Sequence, residues 1–171
     1  MYLGHMVFGF TVTELYKILQ SGYLRPGIKT GNEKLYSGNK KHLSPYIYLA
    51  FYTYTPHFTF DPKLLLDNNF YLVKGGWSRF PNKTKKIIGS SLTEKELDKK
   101  LIQHTKGLHT NNSPMNNEII LEKDISLVKY LQKITLTIKK KDIQKASKTY
   151  KKLQELIKRK YPNVHVSINI Y

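Results

Sequence analysis

A glutamate at the start of an apolar run is the residue best placed to do chemistry in this sequence. Glu118 follows the asparagine-rich stretch 110–117 and precedes Ile119, Ile120 and Leu121. A lone carboxylate where a loop enters a strand is a common position for a catalytic group. The alternative interpretation is that Glu118 begins its strand in solvent. No second carboxylate lies close in sequence to complete an acid–base pair.

The six histidines do not form a metal-binding pattern, and the chain has no cysteine. None of them has a second histidine or a carboxylate at the spacing of the common zinc motifs, so we expect no metal site. A phosphate-binding Walker loop and a nucleophile elbow are also absent from the sequence. These residues alone do not identify a cofactor.

The aromatic stretch 45–54 is the strongest strand signal in the N-terminal half. It reads Pro-Tyr-Ile-Tyr-Leu-Ala-Phe-Tyr-Thr-Tyr, and aromatic and β-branched residues favour strands. Such a strand could stack the bases of a single-stranded nucleic acid. The alternative, which we favour from the sequence, is a buried core strand.

Helices and further strands are predicted around these residues. Thr11 or Thr13 can cap a helix from about Val12 to Ser21 that ends at Gly22. Thr93 and Glu96 fit the capping box of a second helix. We expect extended chain at 57–60, strands at 70–73, 118–121 and 134–138, and an alternating, half-buried strand at 164–170.

The segment 139–161 carries nearly half of the net positive charge. Ten basic and two acidic residues give it a net charge of +8, against +17 for all 171 residues. Ile143, Ala146, Tyr150, Leu153 and Ile157 recur at helical spacing, which predicts one amphipathic helix with a rigid basic face. Such a face suits a polyanion. The residues predicted to bind nucleic acid are Lys140, Lys141, Lys145, Lys148, Lys152 and Arg159.

Composition narrows the class of protein further. The chain has 26 lysines but three arginines, a bias that an AT-rich genome produces and that favours backbone contact over base recognition. No apolar run is long enough to span a membrane, and the first ten residues lack signal-peptide features. We therefore expect an intracellular protein, either cytoplasmic or nuclear. The AT-rich bias and the high charge would also suit a protein associated with a virion.

The order of elements resembles the ADP-ribosyltransferase fold, in particular its His-Tyr-Glu branch, which includes the poly-ADP-ribose polymerases and is related to the RNA 2′-phosphotransferases. The resemblance covers residues 2–138. It rests on a first strand, the helical sequence Thr11–Leu24, the strand Tyr46-Ile-Tyr-Leu-Ala50, and the late strand Asn117-Glu-Ile-Ile-Leu121.

This resemblance implies an NAD site. It matches Tyr48 to the motif tyrosine and Glu118 to the catalytic glutamate, which hydrogen-bonds the nicotinamide ribose and stabilises the oxocarbenium-like state as nicotinamide leaves. The remaining residues that it places near the cofactor are Phe8, Gly9, Thr11, Phe58 and Phe60, with Phe58 or Phe60 stacking on the nicotinamide ring.

One motif position departs from the family pattern. Counting back from Gly22 puts Phe8 where the family has its histidine, and phenylalanine cannot form hydrogen bonds to ribose or carboxamide. His5 lies three residues earlier, an odd offset that points to the opposite face of a strand unless a bulge intervenes.

The sequence as a whole predicts an α+β protein with one domain. We expect a central mixed or split β-sheet of ADP-ribosyltransferase type in residues 1–138, and a basic helix and final strand in residues 139–171 that pack on it as a β-α-β unit. Three functions stay open: a nucleic-acid-binding protein on a non-catalytic scaffold, an NAD-dependent transferase, and an assembly protein that binds an acidic protein partner. Whether it is an enzyme, and its oligomeric state, stay open as well.

Overall fold

Eight strands of the described chain pair into one mixed sheet. The computed structural model describes residues 3–6, 10–26, 46–51, 57–74, 84–105 and 117–171. The strands are β1 (Leu3–Met6), β2 (Tyr23–Leu24), β3 (Ile47–Ala50), β4 (His57–Phe60), β5 (Asn69–Lys74), β6 (Ile87–Ile88), β7 (Asn117–Leu121), β8 (Ile125–Ser126), β9 (Leu131–Ile138) and β10 (His165–Ile170). The large sheet has the order β10-β9-β4-β1-β3-β7-β5-β6, and β2 pairs with β8 separately.

Helices flank this sheet. They are α1 (Val12–Ser21), α2 (Glu94–Thr105), α3 (Leu127–Tyr130), α4 (Lys140–Lys145) and α5 (Ser147–Lys160), with short 3-10 turns at Pro62–Leu65 and Gly89–Ser91. The predicted α+β class with a mixed sheet in one domain is confirmed.

Helix α1 begins and ends at the predicted residues. The Thr11 side chain accepts a hydrogen bond from the Glu14 backbone N–H at 3.2 Å, and the Glu14 carboxylate accepts one from the Thr11 N–H at 2.7 Å, which completes a capping box. Gly22 ends the helix in the left-handed region at φ 80°, where glycine is favoured.

Alternation along the strands gives the large sheet one apolar face, which we call the core face. Leu49, Phe58, Ile119 and Ile134 are fully buried there, and they form one core with α1 and α5. Helix α5 packs against α1. The Lys160 ammonium donates to the Gln20 carbonyl at 2.6 Å, so the C-terminal helix is held against the N-terminal one.

The predicted β-α-β unit is confirmed in its pairing. Strand β10 runs parallel to β9, from His165 opposite Lys133 to Ile170 opposite Ile138. A parallel pair needs a crossover of this length, and α4 and α5 supply it.

The prediction of one continuous basic helix is wrong, because the chain leaves helical geometry at Ala146, with φ −124° and ψ 38°. The two segments have different anchors. The Lys140 N–H donates to the Tyr171 carbonyl at 2.7 Å, which ties α4 to the end of β10. Helix α5 instead buries Leu153, Leu156 and Ile157 against the core, and the break accommodates both anchors.

Candidate functional site

The second face of the large sheet, which we call the site face, carries Glu118. Ala50 pairs with both Gly4 and Glu118, Gly4 pairs with Thr59, and Glu118 pairs with Val73. Paired residues point to the same side of a sheet, so these side chains form one row across five strands. Ala50 and Val73 are buried but stand outside the main core, which confirms that the row faces away from it.

Glu118 and Tyr48 lie on adjacent strands of the site face. Tyr48 pairs with Ile120, and Ala50 pairs with Glu118, so the two side chains are diagonal neighbours with Cβ atoms about 7 Å apart. Glu118 is 9% exposed, whereas Tyr48 is half-buried. The carboxyl group is therefore shielded from bulk water, whereas part of Tyr48 is exposed to it. The two residues predicted as catalytic are thus brought together.

Two buried histidines fix the backbone of these same residues. The His5 Nδ1–H donates to the Tyr48 carbonyl at 2.9 Å, and the His104 Nε2–H donates to the Glu118 carbonyl at 3.2 Å. The Asn117 amide in turn donates to the His104 carbonyl at 2.7 Å. These tautomers follow because a carbonyl can only accept. Each imidazole therefore holds one strand of the candidate site in place.

His5 does not join Tyr48 and Glu118 on the site face. It pairs with Phe58, and no register shift occurs between β1 and β4, so its side chain points to the core face, as the odd offset predicted. Phe8 and Gly9 lie outside the described residues. Thr11 is described, and its side chain serves as the cap of α1.

His5 gives the fold a predicted pH dependence. Burial lowers its pKa, and the hydrogen bond to Tyr48 offsets this only in part. Below pH 6.5 the His5 side chain is therefore more fully protonated in the unfolded chain than in the folded protein. We expect the free energy of unfolding to fall by up to about 1.4 kcal/mol per pH unit as the pH drops below that value.

Urea unfolding at pH 7, 6 and 5 measures this dependence. His5→Gln keeps a hydrogen-bond donor for Tyr48 and cannot titrate, so it should show a shallower slope than the natural protein. His165→Gln, at an exposed histidine, serves as the control and should leave the slope unchanged. Equal slopes for the natural protein and His5→Gln would contradict the assignment.

The predicted stacking role of Phe58 and Phe60 is contradicted by their placement. Both rings are 0% exposed and belong to the main core. A ring buried among aliphatic side chains has no face to offer a nicotinamide. The residue between them, Thr59, is the one that points to the site face.

The aromatic stretch divides between the two faces. Ile47 and Leu49 are buried in the core, whereas Tyr46 and Tyr48 are half-buried and belong to the opposite face by alternation. The strand therefore contributes to the core through Ile47 and Leu49, as favoured from the sequence, while the two tyrosines lie on its other face. Residues 52–56 lie outside the described part of the chain.

A polar cluster that sequence reasoning missed includes Tyr71, which is separated from Tyr48 by Ile120 in the same row of the sheet. The Tyr71 hydroxyl donates to the Glu122 carboxylate at 2.6 Å, and the Lys86 ammonium donates to the same group at 2.7 Å. Both hydrogen bonds lower the pKa of Glu122. The cluster joins residues 36 and 51 positions apart, and no local sequence signal identifies such pairs.

The basic surface consists of exposed residues on α4 and α5. Within the described chain, none of its members has a carboxylate within ion-pair distance. Because α5 packs on the core face, this surface and Glu118 lie on opposite sides of the sheet. The members are the six predicted residues, Lys140, Lys141, Lys145, Lys148, Lys152 and Arg159.

The described residues form neither a metal-binding cluster nor a membrane-spanning helix. The described residues contain no group of three or more histidine, aspartate or glutamate side chains arranged to hold a metal ion. Among the helices in the described ranges, none has the length and apolar character needed to cross a membrane.

Comparisons with known proteins find little at the level of sequence. No family model matches the chain, and no curated protein matches it. Among solved structures, the chain is similar to "Thermus sp. 2.9 DarT in complex with ADP-ribosylated ssDNA", with a TM-score of 0.48 and 10% sequence identity over 99% of this chain and 93% of that one. At this level of similarity, function has to be argued from the residues themselves.

Proposed function

We propose that this protein binds nucleic acid through the basic surface. The observation that carries the proposal is that six exposed cations within twenty residues have no ion-pair partner in the described structure. Cations that pair with no carboxylate of the described residues are available to phosphate groups, and releasing the counterions condensed on a nucleic acid drives their binding. Such a partner would place the protein in the cytoplasm, the nucleus or a virion.

The geometry of α5 supports contact with the extended phosphate backbone of a nucleic acid. Lys148, Lys152 and Arg159 occur at i, i+4 and i+11, which puts them on one side of α5 over a length of about 17 Å. Buried leucine and isoleucine side chains on another side of the helix hold it to the core. The cations are therefore presented on a fixed scaffold, and their loss of freedom on binding is smaller than for a disordered tail.

Binding to labelled oligonucleotides tests the proposal. We expect the logarithm of the affinity to fall linearly with the logarithm of salt concentration, with a slope set by the number of phosphates contacted. Single-stranded DNA, double-stranded DNA, RNA and polyglutamate should be compared by fluorescence anisotropy. Affinity that does not change with salt would refute the proposal, and a clear preference for polyglutamate would favour the acidic-protein alternative.

NAD-dependent ADP-ribosyl transfer is the second candidate function. The observation that favours it is the placement of Glu118 beside Tyr48 on the site face, the pair that the family resemblance implies. A buried carboxylate can accept a hydrogen bond from the nicotinamide ribose and stabilise positive charge at the anomeric carbon. Nicotinamide would leave with the bonding electrons, and a nucleophile of the target would attack that carbon.

A further inference from the structure

Two threonine hydroxyls on the site face are buried. Thr59 is 4% exposed. Its Oγ1 and the Oγ1 of Thr135 have no partner within the described residues. Buried hydroxyls in folded proteins are nearly always hydrogen-bonded, because leaving one unpaired is costly. Two such groups close together therefore indicate that something else satisfies them.

The sheet register brings these hydroxyls into one cluster. Thr59 pairs with Lys133, and β9 places Thr135 two residues further on. The two threonines are therefore diagonal neighbours with Cβ atoms about 7–8 Å apart, a gap that one tetrahedral anion can bridge. Ser167 pairs with Thr135 and adds a third hydroxyl on the next strand.

The cluster is positively charged. Lys133 is half-buried and forms no ion pair within the described residues. Strands β4, β9 and β10 contain no acidic residue at all, so no carboxylate on these strands competes for the lysine. One ammonium group with several hydroxyl donors matches the requirements of phosphate.

Only residues with small side chains lie between the cluster and Glu118 in their row of the site face. Between Thr59 and Glu118 the row contains only Gly4 and Ala50, whose side chains are absent or minimal. Three strand spacings separate the two ends, about 14 Å. Along this row, no bulky side chain of the sheet therefore separates the carboxylate from the hydroxyls.

We propose that Thr59, Lys133, Thr135 and Ser167 form a binding site for a phosphate group of a nucleotide. The phosphate belongs either to a free dinucleotide such as NAD or to a nucleic acid strand. The site lies on the face opposite the basic surface, so it does not depend on α4 and α5 and its failure would leave nucleic-acid binding by those helices untouched.

Methyl NMR of threonine-labelled protein tests the site directly. We expect the Thr59 and Thr135 methyl signals to shift and saturate on titration with NAD or with a single-stranded oligonucleotide, and inorganic phosphate to compete. A response to NAD alone identifies the dinucleotide as the source of the phosphate, and a response to the oligonucleotide alone identifies the strand. No response to any of the three probes would overturn the proposal.

Variants separate ligand binding from structure. Thr59→Val/Thr135→Val keeps the shape and removes both hydroxyls, and we expect affinity for the responding probe to fall at least tenfold. Lys133→Gln should weaken it severalfold. Thr137→Val, at an exposed threonine on the same strand, is the matched control and should change nothing. Unchanged affinity in the double variant and in Lys133→Gln would also overturn the proposal.

Discussion

Replacing Lys148, Lys152 and Arg159 together by glutamine lowers the affinity for a single-stranded oligonucleotide about a hundredfold at 0.1 M salt, if these residues contact phosphates. Each phosphate contact contributes about 0.7 to the slope of log affinity against log salt for a single strand, so three lost contacts flatten that slope by about two units. Fluorescence anisotropy across a series of salt concentrations measures both quantities.

A matched variant distinguishes a specific surface from overall charge. Lys17, Lys95 and Lys99 are exposed on α1 and α2, and replacing them by glutamine removes the same net charge. That variant should keep most of the affinity and nearly all of the salt slope. If it loses as much as the first variant, binding depends on net charge and the basic surface has no special role.

Local patterns in the sequence account for much of the fold. Thr11, Glu14 and Gly22 specify both ends of α1, because capping and the left-handed conformation depend on neighbouring residues alone. Ile143, Ala146 and Tyr150 continue an apolar stripe through the position where α4 ends, with no glycine or proline to mark it. The hydrogen bond between α4 and Tyr171 joins residues far apart in the sequence, so no local pattern records it.

The candidate site shows the same division between local and long-range information. Alternation correctly separates Tyr48 from Leu49, but it does not say which face of a strand is the core. The family resemblance implies that Phe58 or Phe60 stacks on the ligand, but the core lies on their side of the strand and Thr59 occupies the site face. Thr135 alternates with apolar neighbours on β9, so the sequence alone places it on the face of the strand away from them. Its proximity to Thr59 depends on the order of the strands, which the sequence does not give.

The arrangement of charges limits how the two proposed functions can combine. Helix α5 covers the core face, and Glu118 lies on the site face, so a phosphate held by Lys152 is separated from the carboxylate by the sheet itself. A nucleic acid bound to the basic surface can be modified at Glu118 only if it passes around the sheet. Edge strand β10, next to the threonine cluster, is the nearer route because α4 and α5 connect directly to it.

Glu118→Gln abolishes measurable transfer if the protein is an ADP-ribosyltransferase. Glutamine has nearly the same shape but lacks the negative charge that stabilises the oxocarbenium-like state, and loss of one such electrostatic contact costs roughly 10²–10³ in rate. The measurement is transfer of radiolabel from NAD to oligonucleotide and protein targets, with melting temperatures taken in parallel to confirm that the variant folds.

Glu122→Gln is the control for this measurement, since Glu122 follows β7 directly and its carboxylate is bound by Tyr71 and Lys86. It should lose a little stability and keep its transfer rate. Equal transfer by the natural protein and Glu118→Gln would exclude a catalytic role for this carboxylate. If the natural protein neither binds NAD nor transfers label, the site face is not a transferase site. That result would not affect nucleic-acid binding by the basic surface, which the salt dependence of affinity tests separately.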